Sequence, residues 1–158
     1  MGSYRLSGPD ELMRRFAKIE KDILGILGFI QLLNSSNSVT GSSGSTTSTT
    51  PVSSTPTHTA VAVTTGASET VSVAMSATMA NSTGALAGWY LFVDGSSYAG
   101  PYGNDNNTGG SLGVACSASL IISGLTAGAS HTFEMKFLTS SGAVTASWSL
   151  PTILAEPL

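Results

Sequence analysis

A tract of 25 residues without Asp, Glu, Lys or Arg, residues 34–58, divides this chain into parts of very different composition. Sixteen of its residues are Ser or Thr, and Pro51 and Pro56 stand near its end. Such a segment buries too little apolar surface to offset its chain entropy, so we expect it not to fold alone. Because Thr and Pro favour extended backbone, we predict an extended linker over residues 34–58.

The segment before this tract, residues 1–33, carries nine of the 15 charged residues and has strong helix signals. Ser7 to Glu11 combine a capping residue, a proline in the first turn and acids near the positive end of the helix dipole. Apolar residues then alternate at spacings of four and three, the a/d pattern of a coiled coil over about three heptads. They are Leu12, Phe16, Ile19, Ile23, Ile26, Ile30 and Leu33.

Isoleucine at both a and d shifts the preference of a coiled coil from dimers to trimers or larger bundles. We therefore predict that residues 1–33 form an anchoring and trimerising helix, in which Arg15 and Glu20 pair between chains. An amphipathic helix packed on its own domain remains the alternative. Against that alternative, further apolar residues lie outside the a/d seam, so copies of the helix or another protein must bury them. These are Leu24, Leu27, Phe29 and Leu32.

The segment after the tract, residues 59–158, has the period-two alternation of β-strands and no helical periodicity. Alternating apolar residues recur over 71–75, 112–122, 133–137 and 144–150. Turn signals such as Asp94-Gly95 separate these runs. Seven or eight short strands in such a length predict an antiparallel β-sandwich, jelly-roll-like in form. The expected fold class is thus mainly β with one coiled-coil-like helix.

Composition argues against several classes of function. A net charge of -3 and a pI near 5.1 give no basic surface for nucleic acid. A single cysteine, Cys116, excludes a disulfide framework and suits a buried small residue. The longest apolar run, residues 23–33, is shorter than the roughly 20 residues of a membrane span. We expect neither membrane insertion nor a secretory signal.

Catalytic and cofactor chemistry have little material in this sequence. His58 lies in the linker, and His131 begins a strand, where a structural role is expected. Asp94 and Glu134 show no spacing suited to general acid/base work, so we predict no enzyme and no cofactor. The best cation candidate is the Asn-rich loop 103–110, but its one carboxylate neutralises calcium poorly and a plain loop is the default interpretation.

Aromatic residues cluster in the middle of the β segment, at Trp89, Tyr90, Phe92, Tyr98 and Tyr102. Three interpretations stay open for them. The first is a central strand covered on both sides. The second is a glycan-binding platform formed by Tyr98 and Tyr102. The third is a subunit interface, where Tyr and Trp are enriched.

Two stretches resemble a known family. The turn and strand Gly-Leu-Thr-Ala-Gly-Ala-Ser-His-Thr-Phe (124–133), the hairpin from 141 to 150, and the terminus Pro151 to Leu158 resemble the C-terminal β domain of bacteriophage tail-fibre and minor tail proteins. The opening, Arg5 to Arg15, also looks like that of minor tail proteins in phages of actinobacteria. Fibronectin type III modules carry a similar turn, but with Tyr at the place of His131.

The resemblance implies a virion protein that trimerises, sits on the particle surface and has no catalytic residues. We therefore predict a structural protein that forms a short homotrimeric tail fibre or spike, bound to other virion proteins through its helix. Its β domain would project toward the host and contact surface glycans. Two alternatives remain: a capsid decoration or head-fibre protein, and an adhesive module of a bacterial surface protein. The second alternative would require export.

Overall fold

The structure is a computed structural model that describes residues 8–33, 37–55, 58–82, 84–104 and 113–158. It divides into two compact units, Met1–Asn34 and Ser35–Leu158, called here the helical unit and the β unit. The helical unit contains α1 (Pro9–Leu33). The described strands of the β unit are β1 (Asn37–Thr40), β2 (Gly44–Thr46), β3 (Val52–Ser53), β4 (Ala60–Thr64), β5 (Val71–Asn81), β6 (Ala87–Val93), β7 (Ser96–Asn104), β8 (Val114–Ile122), β9 (Ser130–Thr139) and β10 (Ala146–Pro157).

Helix α1 begins where the sequence predicts. Pro9 takes the first helical position, where its missing N–H costs no hydrogen bond. The carbonyl oxygen of Gly8 accepts hydrogen bonds from the backbone N–H groups of Glu11 (3.0 Å) and Leu12 (3.3 Å), which closes the first turn. The helix runs for 25 residues, so the predicted a/d positions all lie within one continuous element.

The strands form two antiparallel sheets, which confirms the expectation of a mainly β chain with one helix. The first sheet has the order β1-β10-β5-β8, with β2 also paired to β10. The second sheet has the order β3-β9-β6-β7, with β4 also paired to β9. Residues 59–158 contribute seven described strands, β4 to β10, which agrees with the predicted number.

The alternation in the sequence corresponds to an inner and an outer face of each sheet. Along β5 every second residue is buried, beginning at Val71 and ending at Asn81. On β9 the buried residues include Phe133, Met135 and Phe137. Side chains of both sheets belong to one hydrophobic cluster that also contains Trp89 and Trp148. The inner faces of the two sheets therefore share a single core.

The Ser/Thr-rich tract corrects the linker prediction. The compact β unit begins at Ser35, not at residue 59. Strands β1 and β2 pair with β10, from Asn37↔Ala155 to Trp148↔Gly44, and so follow one another along the same edge of the first sheet. Strand β3 pairs with β9 at Val52↔Phe137 and extends the second sheet. The described residues of the tract are thus edge segments of the sheets.

The tract folds because its partners lie elsewhere in the chain. Edge strands need backbone hydrogen bonds on one side, which β9 and β10 supply, and few apolar side chains of their own. Val39 packs against the core cluster. Ser54 and Thr59 are fully buried, and the Ser54 hydroxyl accepts a hydrogen bond from the Thr59 backbone N–H at 3.0 Å. The Ser54 and Thr59 hydroxyl oxygens also lie 3.0 Å apart, within hydrogen-bond distance, so these polar side chains have partners where they are buried.

The predicted turn at Asp94-Gly95 joins β6 to β7. Both residues have positive φ, 49° and 80°, and Val93 pairs with Ser96 across the turn. Two central residues with positive φ are the signature of a type I′ hairpin, and Asp-Gly is one of the dipeptides that favours it. This turn places the Asp94 carboxylate beside the beginning of β9, as described below.

Candidate functional site

The described a/d residues of α1 form an exposed apolar surface. Its described side chains are Leu12, Phe16, Ile19, Ile23 and Ile26, and each is at least half exposed. Ile23, at a central a position, is 50% exposed, and Phe16 is 60% exposed. Ile30 and Leu33 lie in the helix, but their side chains are outside the described part. The seam is therefore available to a partner helix along its described length.

Apolar exposure on α1 extends beyond the seam. Leu24, at a b position, is 62% exposed, and Met13 is exposed as well. Three further apolar residues outside the seam, Leu27, Phe29 and Leu32, have side chains outside the described part. Arg15 makes a hydrogen-bonded ion pair of 2.8 Å with Glu11 of its own helix. Its pairing with Glu20 between chains stays a prediction.

In the β unit, the sequence candidates Asp94 and His131 meet although they are 37 residues apart. The His131 Nδ1 lies 2.7 Å from Asp94 Oδ2, and the other carboxylate oxygen accepts the Thr132 backbone N–H at 2.8 Å. The Asp94 backbone N–H donates to the Thr132 carbonyl at 2.9 Å. The type I′ hairpin is thereby tied to the first residues of β9.

The far side of the His131 ring is also occupied. Its Nε2 accepts the backbone N–H of Thr126 at 3.2 Å, which leaves the proton on Nδ1 for the bond to Asp94. A histidine acting as a general base needs a free Nε2 directed at a nucleophile. A backbone N–H occupies Nε2 and the ring is buried, so this pair joins a turn to a strand.

The contacts of His131 also give a structural role to the turn that precedes β9. Gly124 and Gly128 both have positive φ, and Leu125 packs against the core. Thr65 reaches across and donates its hydroxyl to the carbonyl oxygen of Thr126. His131 therefore holds the Gly-Leu-Thr-Ala-Gly turn to the following strand, a role that a Tyr hydroxyl fills in similar turns of other β domains.

The pKa of the Asp94 carboxyl is lowered from its ordinary value of 3.8. The largest cause is the hydrogen bond donated by the Thr132 backbone, followed by the hydrogen bond from His131. Both bonds favour the ionised carboxylate. By contrast, burial raises the pKa of the Cys116 thiol, because an apolar environment disfavours the thiolate.

A second polar cluster lies on β9 and was not expected from the sequence. The Ser53 hydroxyl donates to Glu134 Oε1, and the Lys136 ammonium lies 3.5 Å from Glu134 Oε2. His58 Nδ1 is 3.9 Å from the same carboxylate. Lys136 also lies over the Phe92 ring, 4.4 Å from its centroid. Glu134 thus accepts from Ser53 of β3 and pairs with Lys136 of its own strand, so the cluster joins β3 to β9 through side-chain polar contacts.

The two tyrosines predicted as a glycan platform lie on β7 in different environments. Tyr98 is half exposed. Tyr102 packs against the core cluster, with its ring centroid 6.3 Å from that of Trp89. Trp89 itself is fully buried on a strand paired on both sides, by β7 and β9. Glycan contact by Tyr98 and Tyr102 stays a prediction.

The predicted cation loop lies mostly outside the described residues, which end at Asn104 and resume at Gly113. Among the described residues no group of three or more His, Cys, Asp or Glu side chains is placed to hold a metal ion. Within that same part of the chain, no helix has the length and apolar character needed to cross a membrane.

Comparison with known proteins identifies no family for this chain. No protein-family model matches the chain, and no curated protein aligns with it significantly. The features that bear on function are therefore the exposed seam of α1 and the surfaces of the β unit.

Proposed function

We propose that this chain is a structural virion protein that forms a short homotrimeric fibre or spike on a bacteriophage particle, as a tail-fibre or minor tail protein. Helix α1 assembles the trimer as a coiled coil and anchors it. The β unit, with its two sheets packed as a jelly-roll-like sandwich, forms the projecting head. The observation that carries this proposal is the exposed a/d seam, including Ile23 at 50% exposure.

The seam favours association on energetic grounds. Burying the exposed half of an Ile or Leu side chain contributes about 1 kcal/mol, and the described seam of each chain offers four such side chains together with Phe16. The charge pattern of α1 agrees, since Arg15 and Glu20 occupy the g and following e positions that flank a parallel seam. Isoleucine at both a and d positions favours three chains over two.

The apolar residues outside the seam support a role in anchoring. Leu24 points away from the a/d positions and is 62% exposed, so a three-helix bundle would leave it in water. A protein of the particle that packs around the bundle would cover it. We therefore assign the outer surface of the bundle, near Leu24, to another virion protein.

Helix α1 is long enough to form the stem of a spike. Helix α1 has 25 residues, about 38 Å at 1.5 Å per residue. Only residues 34–36 separate the end of α1 from β1. Tyr98, half exposed on the surface of the β unit, is the residue we propose for contact with host glycans.

The proposal is tested on phage particles whose genome encodes this chain. Immunogold labelling with antibody against the β unit is expected to mark purified particles. The same particles carrying Ile23→Asp are expected to lose the label, because a charge in the seam prevents assembly. Label on the capsid would favour the decoration or head-fibre alternative. Particles that remain unlabelled despite expression of the chain would contradict a virion role.

A further inference from the structure

The outer face of the first sheet is almost free of charge. On β5 this face presents Ser72, Ala74, Ser76, Thr78 and Ala80, the residues that alternate with the buried ones. On β8 the corresponding exposed residues are Ala115, Ser117, Ser119 and Ile121. We call this surface the serine face. Across β5, β8 and the registered part of β10, the only Asp, Glu, Lys or Arg on it is Glu156, which pairs with Ser72 at one end.

The second sheet differs in this respect. Its outer side carries Glu134 and Lys136, and the Asp94 carboxylate lies at the end of its β6–β7 hairpin. The few charged side chains in the described β unit are therefore not spread evenly. A solvated sheet face normally carries charges, which oppose contact with other sheets, so the serine face lacks the usual protection against association.

The serine face also presents two large apolar side chains to solvent. Leu150 is 70% exposed, at a bulge of β10 between Ser149 and Thr152. Ile121 on β8 is 67% exposed. Two adjoining shallow grooves lie between them, sharing Ser76, Ser117 and Thr152 in their walls. The small side chains of β5 lie between Leu150 on β10 and Ile121 on β8, so another surface can approach β5 closely.

The covalent path from α1 leads directly into this sheet. Helix α1 ends at Leu33, and β1, which begins at Asn37, is an edge strand of the first sheet. Four Cα–Cα steps reach at most about 14 Å. In helices assembled through the seam, the chain connection therefore keeps Asn37 of each copy within that distance of Leu33 of the same copy.

From these observations we propose that the serine face packs against the serine faces of the other copies of this chain. This inference rests on the proposed trimer and adds the surface by which its heads meet. The occupant is a second copy because the short connection supplies one at high effective concentration.

The dimensions of the sheet fit three copies around an axis. Four strand positions at about 4.8 Å give a width of about 19 Å, so three such faces closing a triangle lie about 5.5 Å from the axis. Half of the roughly 10 Å spacing between packed sheets is about 5 Å, which matches that distance. Ser, Ala and Thr fill a space of this depth, whereas a row of long side chains along the middle would not fit.

The area of the face explains why the helix is needed. Eleven residues of β5 at about 3.3 Å and a width of about 19 Å give roughly 700 Å². Specific interfaces bury about 800 Å² per partner. The face alone is thus slightly small for stable association, and the helical bundle must hold the copies together before the faces dock.

The test measures thiol accessibility in the full chain, with Cys116→Ala removing the native thiol. Ser76→Cys places a probe at the centre of the serine face, and Ser97→Cys places a matched probe on the exposed part of β7, away from that face. Reaction with a maleimide is compared in the assembled chain and in the Ile23→Asp background, with sedimentation of each sample. Near-UV circular dichroism verifies that the Trp environments of the core are intact.

We expect Ser76→Cys to react at least about tenfold more slowly in the trimer than in the Ile23→Asp background, whereas Ser97→Cys reacts equally in both. Equal rates at Ser76→Cys in a chain that sediments as a trimer would overturn this inference and leave the proposed trimer standing. A chain that sediments as a monomer without the Ile23→Asp change would overturn both.

Discussion

The ring of Phe137 on β9 stacks on the ring of Trp148 on β10, with centroids 4.3 Å apart and planes at 10°. Since β9 belongs to the second sheet and β10 to the first, this pair joins the two sheets at the core. The Trp148 Nε1 donates to the Ser42 carbonyl at 2.9 Å. Gly44 of β2 lies against the same ring. One aromatic pair thus connects both sheets with the Ser/Thr-rich tract.

This contact predicts that Gly44 is sensitive to substitution. A Cβ added at Gly44 would lie 2.8 Å from Trp148 Cζ2, and Trp148 is buried. Gly44→Ala is therefore expected to lower the free energy of unfolding by about 1–2 kcal/mol, measured by urea denaturation. Gly142→Ala is the control, because its Cβ would meet Thr47 O at an ordinary 3.8 Å. Equal effects of the two substitutions would show that β2 does not pack on Trp148.

The new boundary of the β unit predicts different outcomes for two truncations. Removal of residues 1–34 leaves every described strand of the β unit in the chain, so we expect a cooperative thermal transition and a monomer. Removal of residues 1–58 deletes β1, β2 and β3 and exposes the edges of β9 and β10. We expect this shorter form to lose the transition or to aggregate. Two truncations of equal stability would restore the linker interpretation.

The Asp94 carboxylate predicts a pH dependence of stability. Its pKa is lower in the folded chain, so its contribution is present above the ordinary value of 3.8 and is lost as the pH falls through the folded value. Asp94→Asn keeps a residue suited to the type I′ turn. We expect the wild type to be more stable than Asp94→Asn at pH 6, and the difference to shrink below about pH 4. A difference that stays constant from pH 6 to pH 2 would contradict this account.

Tyr98 and Tyr102 are expected to respond differently to truncation. Tyr102 packs on the core beside Trp89, so Tyr102→Ala should lower the free energy of unfolding by about 2 kcal/mol. Tyr98 is half exposed, so Tyr98→Ala should change it by less than about 0.5 kcal/mol. On a glycan array, Tyr98→Ala then tests host contact without loss of fold. Glycan binding unaffected by Tyr98→Ala would remove Tyr98 from the proposed contact.

The sequence predicts those elements whose own side chains carry the signal. Strands β5, β8 and β9 follow from apolar alternation, and the Asp94-Gly95 hairpin follows from its turn chemistry. Strands β1 to β3 carry no such alternation, because their stability comes from backbone partners in β9 and β10, about 80 to 120 residues later. The alternation over 144–150 predicts a strand that includes Val144, whereas the structure places Val144, buried, in the turn before β10.

The sequence also does not predict the side-chain pairs that tertiary structure brings together. Asp94 and His131 meet only because the β6–β7 hairpin lies beside the beginning of β9. Ser53 and Glu134 meet because β3 pairs with β9, and the prediction of a linker excluded that pairing. Sequence spacing alone carries no information about either contact. The serine face also needs the sheet order, since its residues come from strands far apart in the chain.

The central claim, that α1 assembles copies of this chain, is tested most directly by sedimentation equilibrium of the full chain. We expect a mass of about three times 16.0 kDa. Ile23→Asp should give a single-chain mass, whereas Lys21→Glu, at an f position outside the seam, should keep the trimer. A single-chain mass for the unmodified protein at micromolar concentration would contradict the account.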